Sequence, residues 1–247
     1  RGVFETIRTD QGHPHFLQEH LERLRTAWAY FFEGPPPELS WDTIIARTLA
    51  ANDLEGSTAA VKILACAGSR STPPLDHSLL VTARAYVHRL EAIGRPGLSL
   101  EIYPHPRQTP LAGHKTCNYL FYEQAGQWAR RQGGDEALIL NPDGTLSETN
   151  SANLLILRDT RAIVPVSEHV LPGIMQQKAK EILERQGYSL QERRLAPGEL
   201  HSADRVLASN SLMGAVSVLR IGDRVFTECS ELARDINRTA FGGSVRA

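Results

Sequence analysis

Leu111-Ala112-Gly113-His114-Lys115-Thr116-Cys117-Asn118-Tyr119 runs from a proline-rich connection into an apolar helical stretch, and its lysine stands out against the rest of the chain. Of the 27 basic residues 23 are arginine, leaving Lys62, Lys115, Lys178 and Lys180. A guanidinium stays protonated, whereas a desolvated ammonium can lose its proton and attack a carbonyl. The turn-like Pro110-Leu111-Ala112-Gly113 ahead of Lys115 is where a site lysine would project into a cleft.

To the N-terminal side, alternation over residues 3–9 predicts a strand. Leu17, Leu21, Leu24, Trp28 and Phe31 recur at helical spacing, and Gly34-Pro35-Pro36-Pro37 ends that helix. A second helix is expected over residues 39–54, with Ser40 as a possible cap, followed by strands over 59–65, 78–87 and 98–103. Together these predict an α+β lobe over residues 1–104. Prolines without periodicity mark residues 105–114 as an interlobe loop. A second, β-rich lobe with helices is expected over 115–247. In it, a helix over 119–131 stops at Gly133-Gly134, and strands over 136–140 and 146–157 flank the hairpin signal Asn141-Pro142-Asp143-Gly144. A helix over 173–186 precedes strands over 189–195, 205–208, 215–220 and 224–226 and a last helix over 230–238.

A chain of 247 residues with 41% apolar content can bury a full core. Net charge is −1, with no basic stripe, so the expected partner is a small molecule rather than a nucleic acid. No apolar run is long enough to span a bilayer and no signal peptide opens the sequence, which makes a cytoplasmic location the expectation. Cys66, Cys117 and Cys229 are widely separated and lack metal-ligand spacing, so neither a disulfide framework nor a metal site is expected. They read as small buried residues, with Cys117 kept in reserve for its closeness to Lys115.

If an imine-forming lysine works with pyridoxal 5'-phosphate, it needs an anion at the ring nitrogen and donors for the phosphate. Glu148 lies in an unusually polar run, Ser147-Glu148-Thr149-Asn150-Ser151-Ala152-Asn153, leading into an apolar strand. Pro172-Gly173 opens a helix whose first amides, at Ile174 and Met175, suit a phosphate. Ser209-Asn210-Ser211 supplies hydroxyl and amide donors, and Arg23 a charged clamp from the first lobe. Each has an ordinary structural alternative when taken alone: a solvated charge, a loop, a turn, a surface arginine. Their order in the chain is what gives them weight.

Phe4-Glu5-Thr6, His20-x-x-Arg23-Leu24, Lys115-x-x-Asn118-Tyr119, Asp135-Glu136-Ala137-Leu138, Asp143-Gly144, Glu148 with Asn153-Leu154, and Gly173-Ile174-Met175 follow one another at plausible spacing. In this the chain resembles, over essentially its whole length, the class IV aminotransferases, the fold-type IV pyridoxal-phosphate enzymes. The resemblance implies a two-lobed α/β (α+β) fold, a cofactor between the lobes and a homodimer. It implies Lys115 as Schiff-base lysine and general acid/base, and Glu148 at the pyridine nitrogen. Arg23, Gly173, Ile174, Met175, Ser209, Asn210 and Ser211 would bind phosphate, with Tyr119 and Asn153 also lining the cofactor. Lys62 has no matching role.

Within the family, Leu111-Ala112-Gly113-His114-Lys115, Gly173-Ile174-Met175-Gln176 and Ser209-Asn210-Ser211-Leu212-Met213 look like the 4-amino-4-deoxychorismate lyases. That resemblance implies release of 4-aminobenzoate and pyruvate, as in folate biosynthesis, and offers Arg107 for a substrate carboxylate. Tyr119 departs toward the aminotransferase pattern, and Gln176 replaces an arginine. An aminotransferase of D-amino acids, R-amines or branched-chain amino acids is therefore the alternative, and a non-catalytic cofactor-binding paralogue a second. Relatives carry a further strand pair ahead of Arg1-Gly2-Val3-Phe4, so a truncated or shortened N-terminus is also expected.

Overall fold

Alternation in Gly2–Asp10 sends Val3, Glu5 and Ile7 to one face of a strand, β1, and Phe4, Thr6 and Arg8 to the other. The computed structural model describes residues 2–32, 36–67, 77–106 and 109–242, in a mixed α+β fold whose contacts form two units. The first unit comprises residues 1–88 and 114–117. Its sheet is antiparallel in the order β2 (His13–Pro14), β1, β3 (Thr58–Ala67), β4 (His77–Ala85). Helix α1 (Leu17–Phe31) contributes Leu17, Leu21, Leu24, Ala27 and Trp28 to a core with Val3, Ile7, Val61 and Ile63. Helix α2 (Trp41–Ala50) adds Ile45 and Leu49. Residues 115–117 lie along the free side of β1: Phe4 N–H donates to the Lys115 carbonyl at 2.9 Å and Cys117 N–H to the Gly2 carbonyl at 2.8 Å.

The second unit comprises residues 89–113 and 118–247. A nine-stranded sheet runs β10 (Ser189–Arg193), β9 (Arg161–Pro165), β8 (Asn153–Arg158), β11 (Arg205–Asn210), β12 (Gly214–Ile221), β5 (Gly97–Ile102), β6 (Glu136–Leu140) and β7 (Leu146–Thr149), with β13 (Arg224–Val225) on β12. The sheet curls until β7 lies beside β8 and β9, and Leu146 N–H donates to the Leu195 carbonyl at 2.7 Å. Leu98, Leu138, Leu154, Val206 and Val216 belong to one of its cores. A second core forms where α4 (Leu120–Arg131) packs Tyr122, Ala125 and Ala129 against Ala137 and Ile139. Helices α3 (Arg89–Ile93), α5 (Ile174–Arg185) and α6 (Ser230–Ala240) complete the unit.

The contacts divide the chain differently from the expected partition at residues 105–114. β5 pairs with β12 and β6, which draws residues 97–102 into the second unit, while Lys115 joins the first through its bonds to β1. The strand expected over 146–157 is two strands broken by a turn at residues 150–152, and β9 was not anticipated. The chain reverses into β9 through Asp159, at φ 49°, a conformation that aspartate tolerates better than most residues. Ser40 precedes α2 without capping it through its side chain. Of the cysteines only Cys229 is buried; Cys66 is half-buried and Cys117 exposed. Gly34 and Pro35 of the expected helix stop, and Arg107, lie outside the described residues.

Asn237 on α6 fastens the helix to β12 by accepting the Ala215 N–H at 2.6 Å and donating to the Ala215 carbonyl at 2.8 Å. Asn237→Ala leaves both backbone groups without this partner. The expected loss is about 2 kcal/mol of stability, read from denaturant midpoints, and a change below about 0.5 kcal/mol would contradict that role.

Candidate active site

Two polar clusters stand out, one in each unit. In the first, Glu5 occupies the face of β1 that Val3 and Ile7 give to the core, so its carboxylate is buried. His20 and Arg23, three residues apart on one face of α1, reach it together. His20 Nδ1 lies 2.7 Å from Glu5 Oε2, Arg23 Nε donates to Oε1 at 2.8 Å, and Arg23 NH2 donates to Oε2 at 2.6 Å. Burial alone would raise the Glu5 carboxyl, but the hydrogen bonds and charges of Arg23 and then His20 outweigh it and hold the group at about 2. Burial also pushes His20 below its ordinary value, against the pull of Glu5, and among the described residues its Nε2 has no hydrogen-bond partner. Arg23 is therefore anchored on a carboxylate that stays ionised.

Lys115 lies across from Phe4, and the alternation of both segments puts their side chains on one face of the sheet. The Lys115 Nζ sits 4.7 Å from the centre of the Phe4 ring, and the Lys62 Nζ lies 4.5 Å from the same ring. An aromatic face next to two ammonium groups is an attractive but poorly hydrating neighbour. The Lys115 charge also bears on His20 and helps to hold its pKa down. His114, one residue earlier, lies against Tyr30 with ring centres 4.5 Å apart and planes tilted by 35°, and meets Phe31 edge-on.

In the second unit Glu148 is the centre. Its position on β7 buries it, and three donors converge on its carboxylate: Tyr122 Oη at 2.6 Å, Leu171 N–H at 3.1 Å and Asn153 Nδ2 at 3.3 Å. A carboxylate oriented by such donors can still accept a hydrogen bond from a cationic N–H. Asn153 also donates to the Leu171 carbonyl at 2.9 Å, which ties the Glu148 site to the segment entering α5. A Cβ on Gly173 would overlap the Asn153 amide oxygen, so only glycine lets α5 begin at this spot.

This place fits a phosphate. The N-cap of α5 is Gly173, which has no side chain to cap the first turn, so the amides of Ile174 and Met175 can serve an anion. Ser209 pairs with Asn153 across β11 and β8 and is fully buried, and its Oγ has no hydrogen-bond partner among the described residues. A buried hydroxyl without a partner costs stability unless a ligand completes it. Asn210 instead organises its own turn, accepting the N–H groups of Leu212 at 3.0 Å and Met213 at 2.9 Å and donating to the Ser151 carbonyl. Ser211 follows it in that turn. Gln176 donates to the Leu154 carbonyl at 3.0 Å, a bond internal to the unit. Tyr119 donates to the Asn150 carbonyl at 3.1 Å, with its ring 5.2 Å from that of Tyr122.

The polar run around Glu148 divides by strand alternation. Thr149 and Ser151 turn to buried Glu136, donating at 2.5 Å each, and so build the turn rather than the site. Tyr122 had no role in the sequence reading, because one tyrosine in an apolar helix reads as core. Glu5 and His20 had none either. A charge at a core position of β1 and a polar pair at i, i+3 on α1 were the available signals.

The model for the family described as Amino-transferase class IV matches residues 2–221. An aminodeoxychorismate lyase from Vibrio harveyi is 30% identical over 232 residues, covering 88% of this chain and 82% of its own. A branched-chain-amino-acid aminotransferase-like protein 2 of Arabidopsis thaliana is 27% identical over 92% of this chain, which spans only 42% of that protein. Among solved structures, a provisionally assigned 4-amino-4-deoxychorismate lyase from Legionella pneumophila superposes with a TM-score of 0.87 at 25% identity, covering 98% of this chain and 91% of its own.

The Glu5 network makes an acid-stability prediction. Its carboxyl is held below its ordinary value of 4.5, so its contribution is complete above pH 4.5 and fades as pH falls toward about 2. Wild type should exceed Glu5→Gln in stability near neutrality by an amount that shrinks by up to about 3 kcal/mol across that window. Urea midpoints at several pH values measure it. A difference independent of pH would contradict the ionised, Arg23-paired state.

Proposed function

The chain belongs to the class IV aminotransferases, a family of pyridoxal-phosphate-dependent enzymes, and from that premise we propose that it is a 4-amino-4-deoxychorismate lyase. The observation that carries this reading is the match to the Vibrio harveyi lyase, 30% identical along most of both chains. The ordered Asn210 turn, in a segment resembling the lyases, supports it.

Pyridoxal phosphate, when bound, supplies an aldehyde for the substrate amine and an electron-accepting ring. Lys115 is assigned the amine that holds this aldehyde before substrate arrives. With the cofactor bound, Lys115 would also be the base placed to take the proton from the ring carbon bearing the substrate nitrogen. Glu148, held in place by Tyr122, Asn153 and the Leu171 amide, would be the acceptor for the pyridine N–H of the bound cofactor. Ser209 Oγ and the amides of Ile174 and Met175 take the phosphate, and Arg23, steadied by Glu5, is assigned to the same anion. Loss of the enolpyruvyl group as pyruvate leaves an aromatic ring, 4-aminobenzoate, and aromatisation makes this step strongly downhill. Arg107 is assigned a substrate carboxylate. A homodimer and a cytoplasmic location belong to the same reading; among the described residues no helix is long and apolar enough to cross a membrane.

Amino transfer is the second reading, favoured by the branched-chain relatives and by the phenol of Tyr119 beside that of Tyr122. Cofactor-loaded protein given 4-amino-4-deoxychorismate should release equal amounts of 4-aminobenzoate and pyruvate. Rapid glutamate formation from an amino acid and 2-oxoglutarate, with neither product formed, would replace the lyase by an aminotransferase. Lys115→Ala should remove both turnover and the cofactor's imine absorbance; turnover that survives the substitution would refute its role. Arg107→Ala should raise KM with little change in kcat, and an unchanged KM removes it from the substrate site.

A further inference from the structure

Cys66, Gly2 and Cys117 form one row across three neighbouring segments of the first unit. Gly2 pairs with Cys66 of β3 on one side, and on the other its carbonyl accepts the Cys117 N–H at 2.8 Å. Residues in such a row point to the same side of the sheet. A Cβ on Gly2 would sit 2.9 Å from the Cys66 sulfur and 3.0 Å from the Cys117 sulfur, so both thiols lean into the space a side chain would fill. The two sulfurs are therefore no farther apart than those distances combined.

We propose that this dithiol is a binding site for a two-coordinate soft cation, copper(I) in the first instance, held between the two sulfurs above Gly2. Thiolates select copper(I) over harder ions, and metal–thiolate bonds of about 2.3 Å bridge sulfurs roughly 4.6 Å apart. A direct disulfide does not fit this row. Two strand spacings of about 4.8 Å separate the cysteine backbones, beyond the Cα–Cα reach of about 6.8 Å that a disulfide allows. Among the described residues no group of three or more histidine, cysteine and acidic side chains gathers for a metal, so an ion with higher coordination demands has no place here.

Binding converts two thiols and one copper(I) into a bis-thiolate complex of charge −1 and releases two protons, with no change of oxidation state. Lys62, whose Nζ lies 4.5 Å from the Phe4 ring, stands on the same face of the sheet as the row and brings a charge opposite to that of the complex. This gives Lys62 a role outside the proposed catalytic site. An ion in the row also ties residues 115–117 across β1 to β3, two positions from Lys115.

The test is an anaerobic titration of the reduced full chain with copper(I) against a chromogenic copper(I) chelator, with proton release followed in weak buffer. Wild type should hold one copper(I) per chain and release two protons. Cys66→Ser and Cys117→Ser should each weaken binding by at least about 100-fold, the upper end of what losing even an outer-sphere partner costs. Cys229→Ser, altering a buried cysteine of the second unit, should bind as wild type does. Gly2→Ala should weaken binding with both thiols still present; the serine variants keep the test decisive if that variant is poorly folded. Binding in either serine variant as tight as in wild type, or wild type no tighter than the double serine variant, would overturn the site. So would a Cys66–Cys117 disulfide formed by mild peroxide in the folded chain, because it would mean that the row does not keep the backbones apart.

Discussion

A carboxylate taken into a β-rich core must be surrounded by donors, and the second unit is organised around meeting that requirement at Glu148. Tyr122 reaches it from α4, Asn153 from β8 and the Leu171 amide from the segment entering α5. These three elements are thereby fixed around one charge. Asn153 is the pivotal member: it touches Glu148, bonds Leu171, stands opposite Ser209 and occupies the space that Gly173 leaves open. The proposed seats for ring nitrogen and phosphate are thus linked through a single amide.

The first unit repeats the principle with opposite charges. Glu5 sits in the core only because Arg23 and His20 meet it there, and breaking a buried pair from one side typically costs about 3–5 kcal/mol. That anchoring leaves the Arg23 guanidinium little rotational freedom. On the other face of the same sheet Lys115 and Lys62 flank Phe4. The two faces of β1 therefore divide the work: one holds a cation in place through a buried anion, and the other sets the candidate amine against an aromatic ring.

Much of the fold was legible because period and punctuation agree. The strand of residues 2–10, the helix carrying Leu17 to Trp28 and the Asn141–Gly144 hairpin all carry local signals stronger than any competing one. The pairing of residues 97–102 shows where local signals stop. Residues 97–102 read as one more strand after two others, and nothing local reveals that they pair in parallel with β12, more than a hundred residues away. Among the site residues, Glu148, Asn153 and Gly173 were legible as polar or small residues in apolar surroundings. Tyr122 was not, since only the tertiary structure brings its hydroxyl to Glu148. The orphaned Ser209 hydroxyl likewise becomes visible only when burial and partners are known.

The most direct test is a crystal structure of the protein with pyridoxal phosphate bound. The account predicts the phosphate on the amides of Ile174 and Met175 with Ser209 Oγ as a partner, and the ring nitrogen within hydrogen-bonding distance of Glu148. A phosphate bound elsewhere, with Ser209 Oγ still unpartnered and the ring nitrogen out of hydrogen-bonding reach of Glu148, would contradict it.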